Sequence, residues 1–212
     1  MNRLIAALSI GLALAACTSP LAGAPPPSPL PSPTPHAPVA STLLEAADLP
    51  APLARCPGSG PLAGYIVALK TSNPALAQRL AAQWDQLQKT GATEAAINVF
   101  AADPSACTAE LGASGTIQSA ASLVVAFADE GQADRAWQAG ILGFAPPVPG
   151  EIPPGVSRGE ATGLGASSWT YDRAPVRLAC WRKKIFVAMV VFTNLDATAF
   201  KAATAAVDAR LT

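Results

Sequence analysis

Apolar and polar positions change period several times along the chain, and each change predicts an element. Between Asn73 and Gly91, the residues Leu76, Leu80, Trp84 and Leu87 recur at helical spacing, with Arg79, Gln83, Gln86 and Lys89 elsewhere on the circumference. Asn73 is placed to cap that helix, Pro74 takes its first position and Gly91 ends it. The period then falls to two. Ala95, Ile97 and Val99 alternate with Ala96, Asn98 and Phe100, which predicts a strand broken by Asp103-Pro104. A short helix is expected over 105–111. A second strand is expected over 117–128, with Ile117, Leu123, Val125 and Phe127 on one parity. A helix over 132–142 would set Ala133, Ala136, Trp137, Gly140 and Ile141 on one face.

The last fifty or so residues are the most regular. Two strands, 167–171 and 176–181, are joined by Asp172-Arg173-Ala174-Pro175. With Asp172 opposite Pro175, the residues Trp169, Tyr171, Val176, Leu178 and Cys180 share one face, and Trp181 points away from it. Arg182-Lys183-Lys184 turns the chain into 185–193, which is apolar on both parities. Such a strand is central or covered twice. Asn194 or Asp196 caps a closing helix bearing Phe200, Ala203, Val207 and Leu211. The order is helix, strand, strand, helix, strand, strand, strand, helix. It predicts an α+β fold: an antiparallel sheet of about five strands with helices packed mainly on one face.

Three stretches lack a period. A short helical turn over 43–48 is stopped by Leu49-Pro50. Residues 56–64 are rich in Gly and Pro; they share glycines with phosphate-binding loops, but they follow no predicted strand and contain Pro61, so they read as a plain loop. Residues 143–159 form the longest irregular stretch, and a loop of that length calls for a role. With the sheet it would wall a ligand groove, for which Phe144, Val148, Trp169 and Trp181 are the candidates. Tyr65 and Phe186 are the other aromatic residues with no assigned burial.

The N-terminus has a different character. Met1-Asn2-Arg3 is a basic start, and the apolar run over 4–16 is short for a membrane-spanning helix. The run closes on Leu14-Ala15-Ala16-Cys17, which resembles the lipobox of bacterial prolipoproteins. The resemblance implies lipidation of the Cys17 thiol, cleavage before it and acylation of the new amino group. It implies a membrane anchor carrying palmitate-type chains and an extracytoplasmic address. Thr18 stands where an inner-membrane retention Asp often sits, so the outer membrane is the expected location in a diderm cell. The expected organisation is a signal peptide over 1–16, a lipidated Cys and proline-rich tether over 17–41, and one α+β domain over 42–212. Pro25-Pro26-Pro27, Pro29, Pro31, Pro33, Pro35 and Pro38 make the tether an extended polyproline II spacer. At about 3.1 Å per residue it would reach roughly 70 Å.

Formal net charge is zero, and no basic run is long enough to suggest nucleic acid. Beyond Cys17 three cysteines remain, and in an oxidising compartment one of them stays unpaired. Cys56 and Cys107 both fall in loops and make the expected disulfide. Cys180, inside a strand, is expected buried and free. The one histidine, His36, lies in the tether, so the domain has no imidazole for a Ser-His-Asp or Cys-His site, nor for a His-rich metal site. Asp129, Glu130 and Asp134 cluster where a helix begins, and there the helix dipole accounts for them. No cofactor and no metal is expected. The segment from Gly163 to the end resembles extracellular sensor domains of actinobacterial receptor kinases and their lipoprotein relatives; no functional residue is carried over. The reading is a non-catalytic, lipid-anchored ligand-binding or sensor-type lipoprotein. The alternative is an envelope protein that docks or scaffolds another protein.

Overall fold

The computed structural model describes residues 35–50, 52–111, 113 and 115–212. The lipobox, the cleavage before Cys17 and the proline-rich stretch up to residue 34 lie outside the described residues.

The centre of the fold is one antiparallel sheet of eight strands. They are β1 (Ala54–Arg55), β2 (Gly60–Pro61), β3 (Ala92–Ala101), β4 (Ser119–Phe127), β5 (Val156–Arg158), β6 (Ser168–Arg173), β7 (Val176–Lys183) and β8 (Phe186–Thr193). Their order is β1-β3-β4-β8-β7-β6-β5, with β2 also on β3. The count is eight rather than about five. The strands with a readable period are the five long ones; β1, β2 and β5 have two or three residues each, too few to show one.

Four helices cover the sheet: α1 (Leu62–Ser72), α2 (Pro74–Lys89), α3 (Glu130–Ala139) and α4 (Ala197–Arg210). The first three lie on one face. There Leu62, Tyr65, Leu69, Leu80 and Trp137 pack with Ile97, Leu123, Val125, Cys180 and Met189. The fourth crosses to the other face, where Phe200, Ala203 and Val207 pack with Phe100, Trp181, Phe186 and Phe192. The N-terminal arm joins it there through Val39, Leu43 and Leu44, all buried. Helices on one face alone would have left the aromatic parity of β7 and β8 uncovered.

The anticipated helix ends hold at α2, where Asn73 accepts from the amide of Leu76 at 3.0 Å. Helix α3 starts earlier than expected because Asp129 caps it, accepting from the amide of Gln132 at 2.8 Å. It stops at Gly140, whose φ is 87°, and a side chain there would meet the Ala145 backbone at 2.7 Å. The chain therefore leaves the helix before Leu142. Helix α1 was not anticipated. Pro61 and Gly64 mark its start as a loop, yet Leu62, Tyr65, Ile66 and Leu69 recur at helical spacing and are buried.

Strand β8 is buried at every position and sits between β4 and β7. The β6–β7 hairpin pairs Arg173 with Val176 and Trp169 with Cys180. That register is two residues from the one expected. A shift of two keeps every side chain on its face, so Trp169, Tyr171, Leu178 and Cys180 do share one side. The packed body begins before residue 42. Val39 is buried, and its amide donates to Glu94 Oε1 at 3.1 Å.

Candidate functional site

The four groove candidates do not meet. Trp169 and Phe144 pack on the face of α1, α2 and α3. Trp181 is fully enclosed on the opposite face, and its indole N–H donates to Asp208 Oδ1 at 3.0 Å. Val148 is 62 % exposed. Tyr65 and Phe186, left unassigned by the sequence, are core residues at 2 % and 1 % exposure. The irregular stretch over 143–159 serves both faces: Phe144 lines a recess on the three-helix side, and Ser157 in β5 lines one beside α4 with Thr170, Asp172 and Phe200.

Another open region lies around the segment after β3. A 3-10 helix, Pro104–Thr108, leaves the strand and is held by three links. Cys107 forms a disulfide with Cys56, across a Cα–Cα distance of 5.4 Å. The amide of the Asn73 side chain donates to Thr108 O at 2.7 Å. The hydroxyl of Tyr65 donates to Cys107 O at 3.3 Å. One side chain, Asn73, thus caps α2 and ties down this segment. Further on, Asn194, at φ 55°, donates to Ile117 O at 3.2 Å and also to Gly115 O.

Two clefts flank the wall formed by Ala109, Glu110 and Leu111. The smaller, about 180 Å³, lies toward α2 and is lined by Leu76, Leu80, Leu142 and Phe144, with Arg79 and Glu110 paired at its rim. The larger, about 330 Å³, opens onto the sheet between β3, β4 and β8. Val99, Ala121, Val191, Leu111 and Ile117 give it an apolar lining, and Ser105, Thr116, Ser119 and Thr193 add hydroxyls. Small side chains on the floor leave that space. Ala121 stands in β4 where its same-face neighbours are Leu123 and Val125. Thr193, only 4 % exposed, sets its side chain on the cleft wall beside Ser119.

The charged groups are mostly committed to structure. Arg182 lies 3.2 Å from Asp134 Oδ1 and 3.9 Å from Glu130 Oε2, and Lys183 donates to Asp208 Oδ2 at 3.0 Å. Arg182 of the basic turn thus meets the acid cluster of the sequence, while Lys183 turns to Asp208 in α4. Asp172 accepts from Arg177 Nε at 2.7 Å. Cys180 is free and buried, and desolvation pushes its thiol up to about 12. Desolvation does the same to Tyr65, to about 12. Both stay protonated near neutrality and pack as uncharged groups. His36 stands edge-on to Phe186 with ring centroids 5.4 Å apart. Among the described residues no three His, Cys, Asp or Glu side chains are grouped to hold a metal ion, and no helix is long and apolar enough to cross a membrane.

No family model, no curated protein and no solved structure matches this chain.

Proposed function

We propose that the chain is an extracytoplasmic lipoprotein, anchored through lipid on Cys17, whose domain binds a ligand without catalysing a reaction. The anchor and the envelope address rest on Leu14-Ala15-Ala16-Cys17. A disulfide between Cys56 and Cys107 is in keeping with an oxidising compartment. The binding role rests on one observation: a mainly apolar cleft of about 330 Å³ over β3, β4 and β8, beside a wall that a disulfide holds in place. That volume falls in the range of small-molecule sites, roughly 300–1,000 Å³, as does an apolar lining with a few polar groups. No cofactor, metal or nucleic acid enters this reading.

The test is native mass spectrometry of the mature protein extracted gently from its own membrane. The expected result is a chain that begins at Cys17, carries acyl mass on that residue and retains a small adduct. Cys17→Ser should abolish the acyl mass and release the protein from membranes. A lipidated chain with no adduct under any gentle extraction defeats the binding role. An unmodified Cys17 defeats the anchor.

A second reading, a docking protein of the envelope, has its own observation. Val148 and Ile152 stand 62 % and 52 % exposed in the proline-rich stretch before β5. A protein partner retained by the native chain and lost on Val148→Ser with Ile152→Ser would favour it.

A further inference from the structure

We propose that the larger cleft is a site for a neutral amphiphile with one acyl chain, a monoacylglycerol-like molecule whose head carries hydroxyl or ester groups and no charge. This rests on the ligand-binding reading above and names the ligand class. Three observations support it. The floor is aliphatic, with Val99 and Ala121 beside Val191 on three adjacent strands, and Leu111 and Ile117 close the sides. Among the described residues no aromatic side chain lines this cleft, so they offer no flat platform on which a sugar ring or base would stack. An aliphatic chain fits such a surface.

The second observation is the Thr193 hydroxyl. It lines the cleft from a residue only 4 % exposed. A hydroxyl facing a largely apolar cleft is a natural partner for a polar group bound there. Here an ester carbonyl or hydroxyl of a bound head would be that group. Ser119 on β4 pairs directly with Thr193 on β8, which puts a second hydroxyl beside the first.

The third observation is charge. Among the described residues Glu110 is the one charged side chain on the cleft, and it is paired with Arg79 on the far side of the wall. Among the described residues no cation lines the cleft to hold a carboxylate or phosphate head. A fatty acid anion would lie near an acid with no base to receive it. The smaller cleft, by contrast, has Arg79 at its rim.

The experiment uses the mature chain from its own membrane, held in amphipol, and a diazirine-bearing monoacylglycerol as photolabel. Labelled peptides should map to 105–121 and 189–193. Octanoylglycerol should displace the label. Hexanoylglycerol, two methylenes shorter, should need about fifteenfold more, because each buried methylene is worth about fourfold. Octanoate should compete far less well than octanoylglycerol. Ala121→Trp, which fills the floor, should abolish saturable labelling. Thr193→Val should weaken octanoylglycerol about fivefold with the chain-length ratio unchanged, an outcome that loss of folding would not produce. Equal competition by octanoate, or saturable labelling that survives Ala121→Trp, overturns the assignment. If the native protein keeps a polar adduct that octanoylglycerol does not displace, ligand binding stands and the acyl class falls. If there is neither adduct nor saturable labelling, both fall.

Discussion

The two faces of the sheet are closed in different ways. On the face of α4 the centre is filled with aromatic side chains, Trp181, Phe186, Phe192 and Phe200 among them. Its cover comes from the two ends of the described chain, and those ends are tied together. Arg210 Nη1 donates to Leu43 O at 2.9 Å, and both terminal nitrogens of Arg210 reach the Asp48 carboxylate at 2.8 Å. Its buried polar groups are paired. Asn98 Nδ2 donates to Leu44 O at 2.9 Å, and Ser122 Oγ accepts from the Leu44 amide at 2.9 Å. On the face of α1, α2 and α3 the cover is helical and aliphatic, and it stops short of the sheet's end. There the disulfide-held segment stands over open space. Two buried indole N–H groups on that face, of Trp137 and Trp169, have no partner among the described residues. One face has a filled aromatic centre with recesses at its margins, and the other keeps an apolar cleft and two unpartnered indoles. The proposed binding role falls on the second face.

That contrast is open to direct attack. The largest effect should come from Trp181→Ala, which empties the filled face and leaves Asp208 without its indole donor. Truncations of this kind cost about 3–5 kcal/mol, read from denaturant midpoints. Ala121→Ser on the open face, by comparison, should cost under about 1 kcal/mol, because the hydroxyl adjoins existing space. Equal losses at the two sites would remove the distinction.

Next is the disulfide. Replacing Cys56 and Cys107 together by Ser removes a link that spans 51 residues, for which the chain-entropy account gives about 4 kcal/mol. The loss of order should be confined to the open face. Hydrogen exchange should rise over 104–117 and stay slow in β7, β8 and α4. In the native protein, alkylation should find Cys180 protected until unfolding.

The tie between the chain ends should be acid-sensitive. Burial works to raise the Asp48 pKa, but the Arg210 hydrogen bonds, the Glu45 amide and the Arg210 charge outweigh it, so the carboxyl is held below its ordinary value. The unfolded chain therefore binds the proton more readily, and stability is lost as pH falls through about 4 and below. Asp48→Asn should remove that part of the acid dependence and cost about 1–3 kcal/mol near neutrality, since Arg210 loses its charged partner. Alkali acts on the other face. Cys180 and Tyr65 hold their protons to about 12 when folded, while the unfolded groups release theirs near 8.5 and 10. Stability should therefore decline from about pH 9 upward, and Cys180→Ala should shift the onset toward the tyrosine range.

The smallest effect is at a cap. Asn73→Ala should cost about 1 kcal/mol as a helix cap and should also loosen Thr108, because the same side chain holds both. A loss in α2 alone, with exchange over 104–111 unchanged, would separate the two roles.

Long-period features were legible in the sequence, and short or shared ones were not. The α2 helix, the doubly apolar β8 and the common face of Trp169 with Cys180 follow from spacing alone, because period 3.6 and period 2 set which side each residue occupies. The β6–β7 register slipped by two residues without changing those sides. The disulfide was legible because Cys56 and Cys107 both interrupt elements while Cys180 lies within one. Helix α1 carried a clear signal in Leu62, Tyr65, Ile66 and Leu69, obscured by the glycines and Pro61 before and within it. The cleft had no local signal. Its floor comes from β3, β4 and β8, its wall from the segment after β3, and Ala121 reads as one more small residue until its neighbours are placed.

By itself, then, the sequence determined the sidedness of its long elements, the cysteine pairing and the absence of imidazole from the residues beyond His36, since each depends on spacing or composition within the chain. Tertiary structure alone decided that α4 crosses to the aromatic face, that Trp181 and Trp169 lie on opposite sides, that Arg210 finds Asp48, and that space remains beside Thr193. Each of these depends on contacts between residues distant in the chain, and packing between distant surfaces has no period to read.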